Sequence, residues 1–304
     1  AKFSPGLGKK VLGINRIRTE HVLPIMGRFF AKENDEALRR DAPQWLRFPA
    51  AFQQAGLSKT DTLELVLEDE AGKKYLMKVF PLDFKKERNA MQPAQFVPES
   101  PDFRWSPMKQ LFSMYWLTEE RIAYLQYNGC YSQEMQLAAG DAEGASQLPP
   151  FQPLVDTTLI ILEQNPEARL FLDLRFNNGG NPADGIALAE RLAALPHLNR
   201  PERLYVAVNR YTAGAAVEIA AAFQAKTKAT LIGETPAQRP NHFADPGDLI
   251  LPNSRIQVFY GTRPVSLLPG DPAMLDISIP AELPFAAFRE GRDPLLDYVR
   301  KLGH

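Results

Sequence analysis

Between residues 169 and 233, short apolar runs alternate with longer stretches of helical composition, and this pattern leaves few folds open. The runs 169–174, 204–208 and 230–233 read as strands, and the stretches 182–195 and 213–226, the second rich in alanine, read as helices. Strands joined through helices become parallel neighbours in one sheet with the helices packed on it, so an α/β fold with a mostly parallel sheet is expected. A chain of 304 residues exceeds what one core usually organises, which makes two domains the better expectation.

The boundary is expected in a proline-rich polar stretch holding Pro93, Pro98, Pro101 and Pro107. This gives a small mixed α/β module over 1–85, a linker over 86–107 and a larger domain over 108–304. In the module, a short strand follows Gly8. Val22, Ile25, Met26 and Phe29 at helical spacing predict a helix over 19–34 with Thr19 as a cap. A second helical stretch runs over 37–54 and stops at Gly56, and the alternation in 62–68 and 74–80 predicts a hairpin. In the larger domain, hairpins are expected over 110–117 with 121–127, and over 249–251 with 256–260 around a turn at 252–255. Helices are expected over 154–164 and 293–302.

Thirty-five basic against thirty-six acidic residues leave a net charge of −1, with no excess to neutralise a phosphate backbone, so nucleic acid is not an expected partner. The longest apolar run, 155–162, is far too short for a membrane span. Because the chain begins at Ala1 rather than Met, a trimmed N-terminus is expected. Cys130 stands alone, so no intrachain disulfide can form, and it reads as a half-buried small residue at a turn. The histidines and Cys130 show no metal-ligand spacing, and neither a metal nor a cofactor is expected.

Two stretches carry chemistry. In the first, the strand at 169–174 runs through Asp173 and Arg175 into Asn177-Asn178-Gly179-Gly180, with a helix beyond. Paired glycines let backbone N–H groups approach a ligand closely, and a helix start adds a positive dipole end, a sensible way to build an oxyanion hole. Asp173 and Arg175, two residues apart on one strand face, read as an ion pair that holds the loop. In the second, Asn209-Arg210-Tyr211-Thr212-Ala213-Gly214-Ala215-Ala216-Val217-Glu218 follows a strand and opens a helix. Hydrolases display nucleophiles at such elbows, yet Ala213, Gly214 and Ala215 have none. Thr212 has the only hydroxyl there and reads first as a helix cap.

Together these stretches resemble the tail-specific (C-terminal processing) serine protease family, which includes tricorn and interphotoreceptor retinoid-binding protein-like members. Asp-Leu-Arg-x-Asn-x-Gly-Gly at 173–180 is the most specific element. The elbow at 212–216 is similar to the family's Thr-Ala-Ser-Ala-Ala type, and 233–242 resembles its Gly-Glu-x-Thr-x-Gly-Lys segment. Leu251-Pro252-Asn253-Ser254 and Gly291-Arg292-Asp293-Pro294-Leu295 look like a bacterial, mostly uncharacterised branch. The resemblance implies a ClpP/crotonase-like catalytic domain preceded by a small degenerate PDZ-like module, in a secreted or periplasmic protein.

The family's catalytic serine falls at Gly214 and its general-base lysine at Arg239, 25 residues on; the glutamine that orients the lysine falls at Phe243. Glycine has no nucleophile and guanidinium cannot act as a base. The implied oxyanion hole, Gly179, Gly180 and the Ala215 amide, is retained. The expected function is therefore a serine-peptidase homologue, proteolytically inactive, that binds a peptide or polypeptide in the former active-site cleft. Asn178, Thr212, Asn241 and His242 are the candidate binding residues. Two alternatives stay open: an active serine-type peptidase whose nucleophile is replaced by Gly214 in this chain, or a hydrolase using Thr212 or His242. A crotonase-type acyl-CoA enzyme is disfavoured by the Asp-Leu-Arg-x-Asn motif.

Overall fold

The computed structural model describes residues 5–81 and 110–302. The chain divides into two compact units, Ala1–Glu99 and Ser100–His304. The linker expected at 86–107 lies outside the described residues.

The first unit contains a four-stranded antiparallel sheet ordered β2-β1-β3-β4, built from β1 (Lys10–Ile14), β2 (Ile17–Arg18), β3 (Leu63–Glu68) and β4 (Lys74–Val79). The expected hairpin is β3–β4, and β3 turns Leu63 into a core with Ile14, Val22, Met26, Ala42 and Phe52, with Leu65 packed against it. Helix α1 (Thr19–Met26) is shorter than the spacing predicted. It ends at Gly27, and the Thr19 hydroxyl donates to the Val11 carbonyl rather than capping the helix. The stretch expected as one helix over 37–54 is two: α2 (Asp35–Trp45), capped by Asn34, and α3 (Pro49–Gln54), opened by Pro49. Proline at a first helical turn is tolerated because its missing N–H would have no partner there.

The second unit is a six-stranded sheet with helices on both faces. Its order is β12-β9-β8-β7-β6-β5, from β5 (Phe112–Leu117), β6 (Ile122–Tyr127), β7 (Arg169–Asp173), β8 (Leu204–Val208), β9 (Thr230–Gly233) and β12 (Ile279–Pro280). All neighbours are parallel except β5, which closes the edge as a hairpin partner of β6. Successive side chains go to opposite faces. Leu170, Leu172, Val206 and Val208 pack under α6 (Gln152–Gln164), α7 (Ala183–Ala193) and α8 (Ala215–Lys226), whereas Phe171, Tyr205 and Ala207 pack under α10 (Pro294–Lys301). Two short helices, α4 (Gln133–Ala138) and α5 (Ala142–Ser146), and α9 (Phe285–Arg289) were not signalled by periodicity.

Beyond the sheet, β10 (His242–Ile250) and β11 (Gln257–Val265) pair with each other only, as a hairpin far longer than the expected 249–251 and 256–260. It begins at His242, so this histidine heads a strand and is buried, rather than lying in a loop.

Candidate functional site

Ligands of open parallel α/β sheets bind beyond the carboxyl ends of the strands, and both chemistry-bearing stretches lie there. Strand β7 ends at Asp173, whose carboxylate receives the Tyr124 hydroxyl at 2.7 Å. The fully buried Arg175 guanidinium donates to Asp173 Oδ1 at 2.9 Å and Oδ2 at 2.7 Å, and to Asp293 Oδ1 at 2.8 Å and Oδ2 at 2.5 Å. Burial works against the guanidinium's charge, but the two aspartates outweigh it and hold its pKa well above the usual value. Asp293 also caps α10 through the Leu295 and Leu296 amides. The Asp173–Arg175 pair is thus part of a triad that ties the strand end to a helix on the far face of the sheet.

The glycine turn follows. Asn177 is buried, and its Oδ1 accepts the Gly179 N–H at 2.9 Å while its amide donates to Cys130 Sγ at 3.2 Å. Gly179 and Gly180 have φ of 123° and 124°, backbone that side chains rarely adopt, and a Cβ on Gly180 would collide with the Cys130 carbonyl. The Cys130 N–H donates to the Gly179 carbonyl, and the Asn181 N–H to the Cys130 carbonyl, both at 3.0 Å. Cys130 is therefore completely buried rather than half-buried. Burial pushes its thiol up to about 11, against the opposing hydrogen bonds of Asn177 and Tyr127. The glycines lie before α7, not in its first turn, and the Gly179 N–H is spent on Asn177. Among the described residues, the Gly180 N–H has no protein acceptor.

At the elbow, Asn209 Oδ1 accepts from Tyr211 N–H at 2.9 Å and Thr212 N–H at 3.2 Å, closing the turn after β8. Thr212 is wholly buried; its hydroxyl donates to the Leu174 carbonyl and accepts from the Asn209 N–H, both at 3.0 Å. It fastens the elbow to the end of β7 and neither caps α8 nor faces the cleft. The residue that does cap α8 is Gly214, at φ 57° and ψ −130°. The Ala213 N–H donates to the Asn177 carbonyl at 3.1 Å, and a Cβ on Gly179 would lie 3.5 Å from the Ala215 nitrogen, so glycine turn and elbow share one surface. The Ala215 N–H, at the helix start, has no protein acceptor among the described residues.

The open cleft over this surface is lined by Asn178, Gly179, Gly180, Gly214, Ala215, Glu218, Gln238, His242, Phe243 and the Asp245–Arg263 ion pair, among others. Arg239 does not line it. Its guanidinium donates to the Asp271 carboxylate and carbonyl, each at 2.9 Å, and the neighbouring Gln238 instead reaches the elbow, accepting the Gly214 N–H at 2.5 Å. Asn241 is also turned away, anchoring the Leu267 and Leu268 backbone. His242 Nδ1 lies 3.0 Å from the Pro240 carbonyl, and Nε2 lies 3.8 Å from Glu218 Oε1. Burial raises the Glu218 pKa, opposed by His242 and Arg263 and helped by Asp245.

Sequence reasoning passed over Glu218 and Gln238. Glu218 sits four residues after Gly214 on α8, and that helical spacing was the available signal. Gln238 carried no local signal. No group of three or more His, Cys, Asp or Glu side chains among the described residues could hold a metal ion, and no described helix is long and apolar enough to cross a membrane.

No protein-family model matches the chain, and no curated protein matches it in sequence. Solved structures do match. Mature CPAF complexed with lactacystin aligns with a TM-score of 0.54 at 13% identity, over 97% of this chain and 77% of that one. Looser alignments are to a putative S41 protease from Bacteroides fragilis (TM-score 0.39, 14% identity, 97% of this chain and 72% of that one) and to the photosystem II D1 C-terminal processing protease (TM-score 0.34, 14% identity, 97% and 67%). The chain shares the α/β fold of mature CPAF, and at this identity the likeness reaches the fold alone.

Proposed function

We propose that this protein is a serine-peptidase homologue without a covalent nucleophile, which binds a peptide or another extended ligand in the cleft over Gly179–Gly180 and Gly214–Ala215. The observation that carries the reading is Gly214. It holds the strained turn at the helix start, against the glycine loop, where a hydrolase elbow presents its nucleophile, and it has no side chain to attack with. The position matched to the base is equally unsuited, since Arg239 stays charged and is paired with Asp271. Thr212 does not replace the serine, because its hydroxyl is buried and engaged on both sides. The unpaired N–H groups of Gly180 and Ala215 remain as ligand donors for a carbonyl or carboxylate, with the dipole of α8 behind the second. The larger unit is the ligand-binding one in this reading, and the smaller unit is a PDZ-like module of a secreted or periplasmic protein.

The test pairs cleavage with binding. The protein should leave unfolded casein intact and take no label from a fluorophosphonate, yet bind fluorescent casein-derived peptides measured by anisotropy. Ala215→Pro deletes one N–H at a helix position that tolerates proline, and should abolish binding while the thermal transition persists. Fluorophosphonate-sensitive cleavage of casein would refute the reading.

A further inference from the structure

We infer that Glu218 and His242 form a water-activating pair, and that the cleft hydrolyses an acyl ester by direct attack of water, with no acyl-enzyme. The inference rests on the reading of the cleft as a ligand site and adds an activity to it.

The argument starts from the tautomer. A carbonyl only accepts, so the ring nitrogen 3.0 Å from the Pro240 oxygen is the one that carries hydrogen, and Nδ1 is the donor. In the neutral ring, Nε2 then bears a lone pair. The His242 side chain is 2% exposed, and its Nε2 is buried with no hydrogen-bond partner. Glu218 Oε1, 3.8 Å away, is beyond hydrogen-bond reach, and a carboxylate offers no hydrogen in any case. With the ring neutral and the carboxyl ionised, Nε2 and Oε1 are two acceptors 3.8 Å apart. A group with two hydrogens satisfies both, and water is the smallest: one hydrogen to Nε2, one to Oε1, and the oxygen lone pairs left facing outward.

The helix aims this water at the right place. Glu218 lies three residues after Ala215 and four after Gly214, so the three share one face of α8, and helical side chains lean towards the N-terminus. Glu218 and His242 line the same cleft as Gly180 and Ala215. An ester whose carbonyl oxygen accepts from the Ala215 N–H presents its carbon beside the water.

The step balances with water alone. The water oxygen bonds to the carbonyl carbon as one proton passes to Nε2, and the carbonyl electron pair moves to the oxygen held by Ala215. The imidazolium forms next to the Glu218 carboxylate, which stabilises it. Collapse breaks the bond to the alcohol oxygen, which recovers the proton from Nε2. The products are a carboxylic acid and an alcohol. The other charged groups at the pair, Asp245 and Arg263, are bonded to each other, so they add little net field. An ester suits the site better than an amide, because an alkoxide or phenoxide departs more readily than an amine from an intermediate formed by water.

The full chain should be assayed with 4-nitrophenyl butyrate, alongside anisotropy with the casein-derived peptides. Expected is turnover above buffer that is linear from the first cycle and rises with pH through a single ionisation. Glu218→Gln and His242→Gln should each lower kcat/KM by about 100-fold or more. Both variants should keep a cooperative thermal transition, so that a loss of turnover is not a loss of fold. Peptide binding without ester turnover would overturn this inference and leave the binding reading standing. Turnover unchanged in both variants would overturn it as well. A burst matching one nitrophenol per chain, blocked by fluorophosphonate, would overturn both readings, as would the loss of both turnover and binding.

Discussion

Replacing Gly214 by alanine tests the elbow directly. At φ 57° and ψ −130° the residue occupies backbone that a side chain enters at a cost of about 1–3 kcal/mol. A new Cβ would also lie 3.3 Å from Gly179 Cα and 3.4 Å from the Asn178 carbonyl, tight enough that the glycine turn must yield by a few tenths of an ångström. Against this, alanine reduces the freedom of the unfolded chain, worth about 0.4–1 kcal/mol in favour of the variant. The net loss is roughly 1–2 kcal/mol, and for a unit of this size the transition should fall by roughly 2–8 °C. Circular dichroism of Gly214→Ala and Gly214→Ser against the parent protein reads the shift. Both variants should lose stability to a similar degree, because the strain belongs to Cβ and not to the hydroxyl. A transition equal to or above the parent's would refute the argument, since it would mean that residue 214 is not held in left-handed backbone.

Arg175→Met should destabilise the protein by about 3–5 kcal/mol in urea titrations, because it leaves the buried Asp173 and Asp293 carboxylates with no cation between them; a change under about 1 kcal/mol would show that the triad is not structural. Glu218→Gln should leave stability unchanged near pH 4 and raise it near pH 8. The folded state raises the Glu218 pKa, so it binds a proton more readily than the unfolded chain, and the stability this contributes is lost as pH rises through the folded value. A variant less stable than the parent at the higher pH would contradict that sign. Cys130, buried and with a thiol pKa of about 11, should not react with Ellman's reagent at pH 8 until guanidinium unfolds the chain, when one thiol per chain should appear; rapid reaction of the native protein would place the thiol at the surface.

What the residue order could specify by itself was whatever depends on near neighbours along the chain. The strands at 169–173, 204–208 and 230–233, the helices between them, the hairpin of β3 and β4 and the glycine-rich turn were all legible, because period and turn chemistry act over a few residues. The same holds for Gly214, which needs no partner to be recognised as lacking a nucleophile. Element ends were less legible. Helix α1 stops at Gly27 rather than running on to 34, and 37–54 breaks into two helices, because end points depend on what each turn packs against.

The site itself was decided in three dimensions. Thr212 stood at a helix start in the sequence, yet its hydroxyl is spent on the Leu174 carbonyl, 38 residues away. Arg239 had the spacing of a catalytic base, yet Asp271, an exposed partner on another segment, takes its guanidinium. Gln238 reaches Gly214 across 24 residues, and His242 meets Glu218 only because β10 begins beside α8. A side chain's partner is chosen by which backbone segments the sheet brings together. Sequence spacing measures distance along the chain and cannot say which neighbour across a cleft holds the hydrogen, the charge or the lone pair.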